Sequence, residues 1–250
     1  MTALLDKLFD RRRNTAFAVE DIRVVHACAS WLINYPDDDL IAKLPTIAEL
    51  AGGLDSRVGA PLARSVEALS GDVIGLRERY VETFDTRRKG CLYLTYFSNG
   101  DTRRRGMALV RIKDAYRKAG LEVTGDELPD HLALVLEFSA TTSVEAGMKI
   151  LSQNRAGVEL LRAHLEQIDS PWFGAIDAVC ETLPPMTKDE RERMVELAAY
   201  GPEEEMVGLD GYGDSHFDQI YPASRPGPSF CGTDAAPSGP QPITLERSRP

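Results

Sequence analysis

Residues 102–120, Thr-Arg-Arg-Arg-Gly-Met-Ala-Leu-Val-Arg-Ile-Lys-Asp-Ala-Tyr-Arg-Lys-Ala-Gly, decide how the rest of the chain is read. Leu109, Ile112, Tyr116 and Ala119 recur at three- and four-residue steps, which places them on one face of a helix. Asp101 or Thr102 can cap its start, and Gly120 ends it by taking the left-handed turn that other residues resist. The same period extends outward in both directions. Upstream, Val73, Leu76, Tyr80 and Phe84 line one face behind the N-cap Asp72, and Val24, Val25, Cys28, Trp31, Leu32 and Tyr35 mark a helix that Pro36 closes. Between these, residues 37–50 are predicted helical with a break or kink at Pro45, residues 52–61 read as a glycine- and proline-rich connection, and residues 62–69 form a short helix.

Downstream, the run Cys-Leu-Tyr-Leu-Thr-Tyr-Phe at 91–97 fits either a buried strand or a buried helix, and its helical context favours the helix. Pro129 suits the first turn of a helix bearing Leu132, Val135, Leu136 and Ser139. Residues 148–168 read as one long helix with a solvated polar face. Ser170-Pro171 reads as N-cap and first residue of a helix carrying Trp172, Ile176 and Val179, and Thr187 with Glu190 makes a capping-box pattern before residues 194–200. With no strand pattern and no glycine-rich strand-to-helix turn, the expected fold is all-α, a single helical bundle of antiparallel neighbours.

The chain has 250 residues, 43% of them hydrophobic, enough for one domain with a core. Three segments are expected: residues 1–20 as a flexible arm, 21–200 as the helical body, and 201–250 as a disordered tail. The tail holds 8 of the 15 prolines and 7 of the 20 glycines and shows no apolar period, so little burial is available to offset the entropy of ordering it. Arg11 to Arg13 are followed by too short an apolar stretch for an export signal, and no run approaches the length of a membrane span, so a cytoplasmic protein without membrane insertion is expected. Cys28, Cys91, Cys180 and Cys231 are far apart and make no metal-binding pair.

The net charge is −10, from 39 acidic and 29 basic residues, which disfavours a general nucleic-acid binder. Residues 77–118 depart from that balance with 12 basic and 5 acidic residues. A band of this kind reads first as a solvated face with local ion pairs, and second as an adaptor surface for nucleic acid or another anionic partner. Arg103, Arg104 and Arg105 are where a phosphate or other anion would sit. Asp130-His131, with Glu127 near, is the one grouping dense enough for acid–base work, so a small enzyme using His131 stands as a further alternative. No nucleophile-elbow motif accompanies it, and a non-enzyme is the preferred reading. Tyr35 (beside Pro36), Tyr80, Phe84, Tyr93, Tyr96 and Phe97 read singly as core, and jointly as the lining of a peptide groove.

Four blocks carry a resemblance: Tyr80-Val-Glu-Thr-Phe-Asp85, Leu92-Tyr-Leu-Thr-Tyr96, Gly100-Asp-Thr-Arg-Arg-Arg-Gly-Met-Ala-Leu109 and Glu127-Leu-Pro-Asp-His-Leu132. Together they resemble the NarJ-like nitrate reductase delta subunit family, within the redox-enzyme maturation chaperones. The similarity runs from about residue 21 to 200 and is sharpest from 80 to 140. It implies an all-helical chaperone whose partner is the N-terminal segment of the apo catalytic (alpha) subunit of respiratory nitrate reductase, before the alpha–beta complex docks on its membrane anchor. It also implies that the chaperone holds no cofactor stably and assists insertion of molybdenum bis(guanine dinucleotide) into the client. The family's signatures fall on Pro129, Asp130 and His131 and on Tyr80, Phe84 and Asp85. The client-peptide site expected on this basis comprises Tyr80, Phe84, Asp85, Tyr93, Tyr96, Asp130, His131 and Glu137, with aromatics meeting the peptide's apolar side and carboxylates its basic residues.

Overall fold

The structure, a computed structural model, describes residues 16–86, 88–100, 102–124, 127–200 and 244–247. The first helices are α1 (Val19–Leu32), α2 (Asp38–Gly52), α3 (Ser56–Leu69) and α4 (Val73–Tyr80), the last continuing into a π-helical turn, Val81–Asp85. A 3-10 turn (Arg88–Gly90) leads to α5 (Leu94–Asn99), α6 (Arg103–Lys118) and strand β1 (Leu121–Thr124). Then come α7 (Leu132–Thr141), α8 (Val144–Gln153), α9 (Arg155–Gln167), α10 (Phe173–Thr182), α11 (Lys188–Tyr200) and strand β2 (Thr244–Arg247). The fold is an all-α bundle.

Several caps are those that the local residues dictate. Asp72 accepts from the Ile74 amide at 3.1 Å, and Thr187 and Glu190 form a reciprocal capping box of 2.6 and 3.2 Å. Gly120 takes a φ of 78° where α6 ends.

Other boundaries differ from the sequence reading. Of the break or kink expected at Pro45, the break does not occur, and the helix runs through it; Pro61 likewise lies inside α3, which begins at Ser56, so the connection shrinks to a few residues. Packing of α3 against α2 and α10 outweighs the single hydrogen bond that each proline removes. Pro129 does not open a helix: it lies in a turn, and α7 starts at Leu132. The long helix predicted over 148–168 is two helices parted at Asn154, whose side chain donates to the Ile150 carbonyl. The strands were unforeseen, since four residues are too few for a period. They pair antiparallel, Leu121 opposite Arg247 and Thr124 opposite Thr244. Those last residues fall in the predicted tail; residues 201–243 and the predicted arm up to residue 15 lie outside the described residues.

The hub is α7. Its Leu132, Ala133, Leu134, Val135, Leu136 and Phe138 are all buried, the all-round apolar pattern of a helix inside a bundle. α1 packs on one side of it and α8 on another, while α3 and α10 form a second tight pair. Gly90 permits the close approach of the 3-10 turn to the π-helical turn, because a β-carbon there would overlap the Thr83 carbonyl oxygen.

Two polar features lie within this core. The polar face of α9, expected to be solvated, is buried: Arg155, Glu159 and Arg162 are each under 5% exposed, and with Asp177 of α10 they form an ion network. Glu159 links Arg155 at 2.8 Å to Arg162 at 3.1 Å, and Arg162 reaches Asp177 at 3.1 Å. The second is His26, fully buried between α1, α7 and α10, with Nδ1 2.7 Å from Ser139 Oγ and Nε2 3.0 Å from Thr182 Oγ1. Thr182 Oγ1 already donates to the Val179 carbonyl, so it accepts from Nε2–H, and Nδ1 accepts from Ser139.

This neutral imidazole makes stability depend on pH. Burial lowers the His26 pKa from 6.5 to about 3, so below 6.5 the unfolded chain takes up a proton that the folded chain refuses. The stabilising contribution is complete above the unfolded pKa and declines as pH falls, by about 1.4 kcal/mol per unit. Urea melts should therefore show His26 costing roughly 2 kcal/mol at pH 5 relative to neutral pH, a share that His26→Gln lacks. Equal pH slopes in the two proteins would contradict the assignment.

Candidate functional site

Three of the sequence blocks converge at the start of α7. The Leu94 amide donates to the Asp130 carbonyl at 3.0 Å and the Leu132 amide to the Leu92 carbonyl at 2.8 Å, so Tyr93 and His131 form an antiparallel bridge. The Asp130 carboxylate is fully buried under this bridge. Its Oδ2 accepts from the Thr95 amide at 3.0 Å and from Thr95 Oγ1 at 2.5 Å. Asp130 thus supplies, from a distant segment, the cap that α5 lacks locally, and places a negative charge on the positive end of that helix.

Arg105, the third contributor, points inward. Its Nη2 lies 4.0 Å from Asp130 Oδ2, and its guanidinium stands 5.6 Å from the Tyr93 ring and 5.9 Å from the Tyr96 ring. Asp130 Oδ1 and His131 Nδ1 are buried with no hydrogen-bond partner among the described residues.

Asp130 and His131 are not an acid–base dyad. The carboxylate is committed to Thr95, whereas the imidazole packs edge-on against Tyr93 with ring centroids 5.4 Å apart. Burial lowers the His131 pKa despite the opposing pull of Glu127 and Asp130, which favours a neutral ring. Tyr93 itself is half-buried and donates to Glu127 Oε1 at 2.9 Å; its phenol is raised by burial and by that carboxylate.

Tyr80 and Phe84 lie in the adjoining aromatic core. Their rings are 4.7 Å apart, each is within 5.5 Å of Trp172, and Tyr80 also meets Tyr35. Both are under 9% exposed, so they support the surface from beneath. The Tyr80 phenol is raised by burial and then by the charges of Asp85 and Glu127. Asp85 ends the π-helical turn and is exposed, yet burial of its carboxyl still raises its pKa; Glu137, half-buried on α7, is raised for the same reason. Neither forms an ion pair among the described residues.

The three consecutive arginines do not make one site. Arg103 and Arg104 are exposed on the first turn of α6, while Arg105 turns into the Asp130 cluster. Sequence reasoning missed Thr95, which Asp130 holds, and Tyr116, whose hydroxyl donates to the Pro129 carbonyl at 2.8 Å and steadies the turn before α7. Only the proximity of Tyr116 to the Pro129-Asp130 block in the chain hinted at this. Among the described residues, no group of three or more His, Cys, Asp or Glu is arranged to hold a metal, and no helix is long and apolar enough to cross a membrane.

The family model for the nitrate reductase delta subunit matches residues 51–178, half of the chain, and includes every residue of this cluster. The chain belongs to the nitrate reductase delta subunit family. It is 38% identical over 160 residues to the nitrate reductase-like protein NarX of Mycobacterium tuberculosis, which covers 64% of this chain and 24% of NarX. It is 35% identical over 152 residues to the probable nitrate reductase molybdenum cofactor assembly chaperone NarJ of Bacillus subtilis, covering 60% of this chain and 83% of that one. With the nitrate reductase molybdenum cofactor assembly chaperone NarJ of Escherichia coli K12 it shares 34% identity over 106 residues, 42% of this chain and 45% of that one. This delta-subunit chain thus spans about a quarter of NarX and most of the Bacillus protein.

Proposed function

We propose that this protein is a cytoplasmic, non-enzymatic chaperone dedicated to a respiratory nitrate reductase. It binds the N-terminal segment of the apo alpha subunit, alone or already joined to beta, and keeps it competent to receive molybdenum bis(guanine dinucleotide). Family membership supports the class of function. The observation that carries the binding mode is that two carboxylates, Asp85 and Glu137, are each raised by desolvation and each have no cation partner among the described residues. Such groups gain most when a Lys or Arg arrives from outside, because part of their desolvation has already occurred.

In this reading Tyr93 and Tyr96, both half-buried, meet the apolar side of an amphipathic client helix, and Asp85 and Glu137 meet its basic residues. Tyr80, Phe84, Asp130 and His131 are positioning residues beneath them. Calorimetric titration with a synthetic peptide copying the client's N-terminus tests the arrangement. Asp85→Asn combined with Glu137→Gln should weaken binding by about tenfold or more, each lost ion pair contributing on the order of 1 kcal/mol. Because both carboxyls are raised, acidification should weaken the wild-type complex before ordinary carboxylates titrate. An unchanged affinity in the double variant would remove this binding mode, and failure of the apo alpha subunit to co-purify from cells expressing the reductase would remove the client.

A further inference from the structure

A second surface, of opposite charge, is built on α6. This 16-residue helix carries 7 basic residues and one acidic residue in a chain of net charge −10. Between α6 and α8 opens a cleft of about 1020 Å³, lined also by Thr95, Ser98 and Asn99 of α5. Arg111, Lys118, Lys149 and Arg193 line it, against one carboxylate, Glu145. All four cations are exposed, and none forms an ion pair among the described residues. The floor is apolar and mostly small: Ala108, Ile112, Ala115, Ala146 and Ile150.

We propose that this cleft docks an acidic, amphipathic helix of another polypeptide. From Ala108 to Ala119 the wall runs about three helical turns, roughly 17 Å at the rise of an α-helix. A groove between two helices of that length accepts a third, and the small alanine side chains let its backbone approach closely. The unpaired cations select the sign of the partner, since an acidic face complements all four and a basic face opposes them. The client segment proposed above is basic, so the cleft serves a different segment from the one read by Asp85 and Glu137.

Fluorescence anisotropy on the full chain decides the matter, using a synthetic helical peptide with Glu on one face and Leu and Ala on the other. The expected result is salt-sensitive binding that falls at least about tenfold in Arg111→Glu/Lys149→Glu, with the melting temperature unchanged, and at least about tenfold weaker binding of a scrambled peptide of the same composition. Equal affinity in the charge-reversed variant, or equal binding of the scrambled peptide, would overturn the proposal. So would tighter binding when Glu203, Glu204 and Glu205 are all replaced by Gln, which would make this chain's own acidic segment the occupant. The basic client-like peptide, measured in parallel, should bind the charge-reversed variant no more weakly than the wild type; loss of its binding there would overturn the separation of the two surfaces.

Discussion

Glu159→Ala is expected to be the most damaging single substitution in the helical body, lowering stability by about 3–5 kcal/mol. Glu159 is 3% exposed and stands between two arginines that are themselves sealed from solvent. Removing it leaves Arg155 without the one carboxylate that the ion pairs give it, and leaves Arg162 dependent on Asp177 and a longer contact of 3.8 Å to Glu166. The penalty comes from uncompensated buried charge, not from the loss of a few methylene contacts. For a body of this size the melting temperature should fall by roughly 10 °C. Thermal unfolding of Glu159→Ala beside Glu166→Ala checks the cause: Glu166 lies at the edge of the same network, so its removal should cost under about 1 kcal/mol. Similar losses in the two variants would rule out the buried-charge explanation.

The second large effect concerns Asp130. Asp130→Ala should cost roughly 3 kcal/mol, because it strands the Thr95 amide and hydroxyl and leaves Arg105 without its buried carboxylate. Asp130→Asn keeps an acceptor oxygen of the same shape, so about half of that loss should return. Binding separates positioning from contact. With no exposed surface, Asp130 cannot reach a client while the fold is intact. Asp130→Asn should therefore bind the client peptide within about threefold of wild type, whereas Asp85→Asn/Glu137→Gln should not. A folded Asp130→Asn protein that has lost the peptide would assign Asp130 a direct role.

Much of the bundle was legible in local pattern. The helices ending at Leu32, at Tyr80 and at Lys118 followed from three- and four-residue spacing, and the Thr187–Glu190 capping box from residue type alone. What sequence could not reveal at Pro45 and Pro61 was the strength of the packing that carries a helix through a proline. The site divides in the same way. Its blocks were visible as unusual runs, but Asp130 reads as an exposed acid beside a histidine until the fold lays it under α5, and Arg105 reads like Arg103 and Arg104 until it turns inward.

By itself, then, the sequence determined the all-helical class, most helix positions and the charge asymmetry of α6, because each of these is written in short-range spacing and residue type, while its four unusual blocks carried the resemblance to the family. Tertiary structure alone decided which charges are buried, which carboxylates stay unpaired and which helices leave a cleft between them. Those depend on contacts between residues far apart in the chain, such as Asp130 with Thr95 and Arg162 with Asp177, where burial changes the energy of a charge far more than its neighbours in sequence do.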